Sequence, residues 1–138
     1  MTPPLLCLLG FATWTILLVL VGIGPYRVGS VVVNKAHPAA FPATTPHGPP
    51  WYQRLMRAHA NCVENLPVFA AVVLVGAVTG YNNPTFDTLA QVVLGARIGQ
   101  TVAHISSGRG RVIQIRFGFF LTQLIGILWM VGLLFGSR

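Results

Sequence analysis

Acidic side chains are almost missing from this sequence. Glu64 and Asp87 are the only two in 138 residues, and charged residues of all kinds make up 8%. A soluble domain carries about 25%. So few charges cannot coat a globular surface, which excludes an ordinary water-soluble fold. Cysteine is scarce too. Cys7 and Cys62 both fall in apolar stretches, with no CxxC and no companion at metal-ligand spacing, so they read as small buried hydrophobes and no metal site is expected. Nine Lys and Arg give a net charge of +7, but they form no basic run interleaved with aromatics. Nucleic acid is therefore not an expected partner.

What is abundant is apolar sequence. Hydrophobic residues reach 54% and mean hydropathy is +0.69. Four apolar stretches, near 5–24, 61–80, 85–106 and 112–135, each approach or exceed the ~20 residues that span a bilayer as a helix. The expected fold is an all-α membrane protein: a single domain over 1–138 built as a four-transmembrane-helix bundle. Its helices are expected at about 5–24, 51–80, 85–106 and 111–135, with a Pro/His-rich loop over 28–50. The first stretch lacks a basic flank and a small-residue cleavage site, so it reads as a helix rather than a secretory signal. Gly24–Pro25 is expected to close it. "NKAHPAAFPATTPHGPP" reads as a partly extended loop, with His37 and His47 solvated. Trp51–Tyr52 read as an interfacial aromatic anchor, Pro67 as a kink, and "YNNP" and "SSGRGR" as turns.

Basic residues flank the first and third connections, whereas "TGYNNPTFD" has none and holds Asp87. Positive-inside bias places loops 1 and 3 in the cytoplasm and both termini on the other side, with Arg138 alone against it. At ~100° per residue, Arg54, Arg57, Asn61 and Glu64 fall within about 80° of arc on helix 2. His59 and Cys62 point elsewhere. Helix 3 carries its own row of Arg97, Gln100, Thr101 and His104, and helix 4 continues with Arg116 and Gln123. Alternating helix directions bring these rows to one depth, together with Arg27. Arg97 lies roughly 15 Å deep at 1.5 Å per residue, too far to snorkel. It is expected to need a partner inside the bundle, and Glu64 is the only carboxylate available to it. Several arginines compete for it. The surplus positive charge predicts an anionic ligand entering from the cytoplasmic leaflet.

"RLMRAHANCVENLP" (54–67) resembles the helix 2 signature of the MAPEG family, R-A-x-x-N-x-x-E-x-x-P, at Arg57, Ala58, Asn61, Glu64 and Pro67. "ARIGQTVAH" (96–104) and "IRFGFFLTQL" (115–124) resemble its helix 3 and helix 4 segments. The resemblance covers nearly the whole chain. It implies a homotrimer of four-helix bundles with glutathione bound between subunits near the cytoplasmic side, as co-substrate and without a metal. Arg27, Arg57, Asn61, Glu64 and Arg97 then correspond to glutathione contacts, with Gln100 and His104 on the same helix 3 row, and Arg116 to the catalytic arginine that stabilises the thiolate. A thiol of pKa ~8.5 is a few per cent ionised at neutral pH, and lowering it by two units corresponds to about 2.7 kcal/mol. The second substrate is expected to be a hydrophobic electrophile or lipid hydroperoxide, reached from membrane lipid past Val92, Val93, Phe119 and Phe120. His104 stands where many members have Tyr, which favours a general conjugating enzyme over an eicosanoid synthase. The alternative is a non-catalytic lipid-binding member. A transporter is disfavoured, since polar residues cluster at one end and form no relay. A bacterial inner membrane or an organellar membrane is the expected location.

Overall fold

In the computed structural model, residues 1–42, 45–106 and 108–137 are described. Four long helices account for most of them. We label these α1 (Pro3–Val32), α2 (Pro50–Val78), α3 (Pro84–Ser106) and α4 (Gly110–Phe135). α1, α2 and α4 are each long and apolar enough to cross a membrane. α3 has 23 residues, about 34 Å at 1.5 Å per residue, but its Asp87, Arg97, Gln100 and His104 make it less apolar. The reason is positional: Arg97, Gln100, Thr101 and His104 are buried inside the bundle, where they face protein rather than lipid.

α1 corrects the expected boundary. Gly24–Pro25 does not end the helix, which runs on to Val32. Pro25 lacks an N–H, and its ring would collide with the carbonyl four residues earlier. The chain relieves this by widening one turn: Val19–Ile23 is a π segment, and the Gly24 N–H bonds to the Val19 carbonyl five residues back. Such single π turns are the known way to insert a misfit into a helix. The connection to α2 is correspondingly shorter and holds a 3₁₀ turn at Pro38–Ala40. Pro67 lies inside α2. The α3–α4 turn includes Ser107 and the first loop includes Ala43 and Thr44, which lie outside the described residues, as does Arg138.

The core is a single apolar cluster running through Cys7, Phe11, Phe69, Val73, Phe86, Val93 and Met130. Phe11 and Phe69 join α1 to α2 with ring centroids 5.8 Å apart. α3 and α4 approach closely because Gly99 offers no side chain: a Cβ there would lie 2.7 Å from the Phe119 ring. Val93, expected to face lipid, is fully buried in this contact region, while Val92 is exposed and Phe119 packs on Gly99. The outer surface of α1 and α4 is apolar, with Leu9, Ile16, Leu20, Ile125, Leu128 and Trp129 all exposed. Exposed residues of this kind, on helices of bilayer length, are those of a membrane protein.

Candidate functional site

The Arg-bearing ends of all four helices meet at one end of the bundle. From α3, Arg97 projects inward and is 1% exposed. Its guanidinium carbon lies 5.3 Å from the Phe11 ring centroid of α1, a cation–π contact. Its Nε and Nη2 are buried without a hydrogen-bond partner. Nearly all buried polar groups in native proteins are paired, so these two donors stand out. Two helical turns further on, His104 Nε2 accepts from Asn61 Nδ2 of α2 at 3.3 Å, while its Nδ1 is buried and unpartnered. Cys62 Sγ lies 3.7 Å from Thr101 Oγ1, in the same α2–α3 seam.

Gln100 connects α3 to α4. Its Nε2 donates to the Arg116 carbonyl at 3.2 Å, and its Oε1 accepts from Gln123 Nε2 at 3.0 Å. The backbone of Arg116 is thus tied to the inner row. Its side chain is half-buried, with Nε buried and unpartnered. Arg54 closes the end by donating from Nε to the Ile105 carbonyl at 3.1 Å.

The α2 stripe does not point one way. Arg54 and Asn61 turn inward to α3, whereas Arg57 and Glu64 are exposed. The angular positions explain this. Asn61 and Arg54 lie at about 340° and 0°, Glu64 and Arg57 at about 280° and 300°, so the covered edge of α2 runs through the stripe. The pairing of Arg97 with Glu64 expected from the sequence is therefore not formed. Glu64 is on the open side, and Nε and Nη2 of Arg97 find no acceptor.

Arg57 and Glu64 instead line a cavity of about 440 Å³ on that open side. His59, which the sequence placed off the stripe, lines it too, and so do Pro42, Thr45, Pro46 and His47 of the first connection. Arg27 stands at its edge through Met56, a lining residue whose Sδ accepts from Arg27 Nη2 at 3.9 Å. Arg27 Nε donates to the Tyr52 hydroxyl at 2.8 Å, and its guanidinium covers the Phe41 ring at 5.7 Å. Tyr52 is fully buried among Tyr26, Trp51 and His47. It is a packing and hydrogen-bonding centre, not the interfacial anchor expected. The eight predicted residues thus fall into an inner row (Asn61, Arg97, Gln100, His104), an outer pair (Arg57, Glu64), and Arg27 and Arg116 beside them. The cavity wall thus offers one guanidinium, Arg57, and one carboxylate, Glu64, groups of the kind that hold a carboxylate and an ammonium.

No curated protein matches the chain. The model of the MAPEG family, the membrane-associated proteins in eicosanoid and glutathione metabolism, matches residues 4–136, nearly the whole chain, and the protein belongs to that family.

Proposed function

We propose that this protein is a membrane-bound, glutathione-dependent transferase that conjugates the glutathione thiolate to hydrophobic electrophiles and reduces lipid hydroperoxides. The observation that carries the reading is Arg97: a guanidinium 1% exposed, with two nitrogens unpartnered, at the bundle end that also holds Arg27, Arg57, Arg116 and the Glu64 carboxylate. Such a site gains most from an anionic ligand. In this reading the carboxylates of glutathione bind the arginines bidentately, and Glu64 accepts from its ammonium. Arg116 lies by the sulfur and favours the thiolate, which attacks carbon with loss of a leaving group, or attacks a peroxide oxygen, breaking the O–O bond to release the alcohol and leaving glutathione sulfenic acid, which a second glutathione converts to the disulfide and water.

The functional unit in this reading is a homotrimer in which α3 spans the bilayer beside the other three helices. α2 supports self-association. Ala60, Glu64, Pro67, Ala71, Leu74 and Val78 are all exposed and are spaced alternately four and three apart, the pattern of a helix seam that wants a partner helix. The number three comes from the family resemblance. Glu64 is part of this seam and Arg57 lies three residues before its first member, so a neighbouring copy would complete the site. The basic end faces the cytoplasm and the termini face the opposite side of a bacterial inner membrane or an organellar membrane.

The family includes glutathione transferases and peroxidases and also non-enzymatic members. A cavity of about 870 Å³ between α2 and α4 at the far end, lined by Val72, Val75, Val131, Leu134 and Phe135 with Thr79, Asn82 and Ser137 at its polar part, favours the second reading, a lipid-binding member without activity. Purified protein assayed with glutathione against aryl halides and lipid hydroperoxides separates the two. The transferase reading expects turnover that Arg116→Ala lowers at least ~100-fold, since electrostatic stabilisation of this kind is worth ~10²–10³, with glutathione affinity changed far less. Wild-type turnover in Arg116→Ala would remove its assigned role, and no turnover by wild type would favour the lipid-binding reading.

A further inference from the structure

The inward face of α1 changes step once. Its buried residues follow at Cys7, Phe11, Thr15 and Leu18, spacings of four, four and three, and the next is Ile23, five further on. Between them Leu20 and Val21 are exposed. This is the stretch where the Gly24 N–H bonds to the Val19 carbonyl five residues back. A turn closed in this way holds one residue more than an α turn, so the helix beyond it is turned back by about 100°.

The consequence falls on Arg27. It comes nine residues after Leu18, which in an unbroken α-helix is about 180° away from that buried residue. With one residue absorbed by the wide turn it stands at about 80°, beside α2. The contacts agree. Tyr26 packs on Tyr52 with ring centroids 4.1 Å apart. Arg27 Nε donates to the Tyr52 hydroxyl at 2.8 Å, and Nη2 reaches Met56 Sδ at 3.9 Å. Neither bond uses Nη1. Met56 in turn lines the cavity that holds Arg57 and Glu64.

Two residues build the wide turn. Pro25 has no N–H, and its ring excludes the α-helical position of the Val21 carbonyl. Gly24 supplies the room: a Cβ there would lie 2.9 Å from the Val19 carbonyl oxygen, the acceptor that closes the turn. Gly24–Pro25 therefore selects the wide turn over an α turn.

We propose that Pro25 is a positioning residue for ligand binding: it holds the π turn of α1, and the π turn aims Arg27 at the anionic ligand. This rests on the glutathione reading above. Pro25 acts through Arg27 and does not itself touch the ligand.

The test is calorimetric titration of the detergent-solubilised full chain with glutathione. It compares wild type, Arg27→Ala, Pro25→Ala, and Pro25→Ala from which Leu20 is also deleted. Pro25→Ala lets the helix close as an α-helix and swings Arg27 away. Deleting the exposed Leu20 takes out the extra residue, so an unbroken α-helix brings Arg27 back. The expected Kd is roughly 10–100-fold weaker in Arg27→Ala, the worth of a charged hydrogen bond, and comparably weaker in Pro25→Ala. The deletion should return affinity close to that of wild type, a rescue that the loss of a merely structural proline does not produce. Wild-type affinity in Pro25→Ala, or a weakening that the deletion leaves in place, overturns the role of Pro25. Wild-type affinity in Arg27→Ala removes the group through which Pro25 acts and overturns the inference, while the glutathione reading stands. Absence of glutathione binding by wild type overturns both.

Discussion

Replacing Arg97 by Met is expected to stabilise the unliganded protein while removing glutathione binding. A guanidinium at mid-helix in a membrane costs about 2.5–3.5 kcal/mol on insertion scales. The contact over Phe11, at 5.3 Å, returns about 0.5–2 kcal/mol. The net burden is about 0.5–3 kcal/mol, centred near 2 kcal/mol, and Nε and Nη2 are left without a hydrogen-bond partner. Met has a flexible apolar chain that refills the space against Phe11. At ~2–4 °C per kcal/mol, Arg97→Met should melt roughly 4–8 °C higher than wild type in micelles without ligand. Saturating glutathione, at ~100 times Kd, adds about 2.7 kcal/mol to wild type and should add little to the variant. The order of the two melting curves therefore inverts or closes on adding ligand. If Arg97→Met melts lower than wild type without glutathione and gains as much from it, Arg97 is a structural group and the reasoning is refuted.

Three further outcomes are expected. Gly48 takes φ of 77°, so Gly48→Ala forces a side chain into the left-handed region, at roughly 1–2 kcal/mol, and against Tyr52. It should lower the melting midpoint and weaken glutathione binding together, read by thermal shift and calorimetry. Ala71→Arg places a charge in the exposed α2 seam and should dissociate the oligomer, seen as a monomer by light scattering; an unchanged oligomer would put that face against lipid. Asn61→Leu removes the donor to His104 Nε2 and leaves both ring nitrogens unpartnered. It should cost about 1–3 kcal/mol of stability, measured by thermal melting.

Much of the helical architecture is legible in the sequence because apolar length is a strong constraint: α3 and α4 begin one residue from their expected starts and end where expected. The end of α1 was not, because Gly24–Pro25 is a stop signal unless the preceding turn widens, and nothing local in "VLVGI" announces a π segment. The gathering of Arg27, Asn61, Gln100, His104 and Arg116 at one end follows from alternating helix direction alone. What angular arithmetic on one helix cannot give is which neighbour covers it. That is why Glu64 was expected inside with Arg97 and lies outside with Arg57. It is also why His47 and His59 were missed: their approach to the cavity depends on how the first connection folds back around Tyr52, which has no periodic signature. The one local sign was the "HGPP" run, where Gly48 permits the turn that seats His47.

The central claim is that this end of the bundle gathers an anionic thiol and favours its thiolate. Ultraviolet difference absorbance of the thiolate, recorded at neutral pH as glutathione is added to purified wild type and to Arg116→Ala, tests it most directly. A saturable thiolate band in wild type that is lost in Arg116→Ala, while the variant still binds glutathione, is the predicted result; no band in wild type, or an equal band in both, would contradict it.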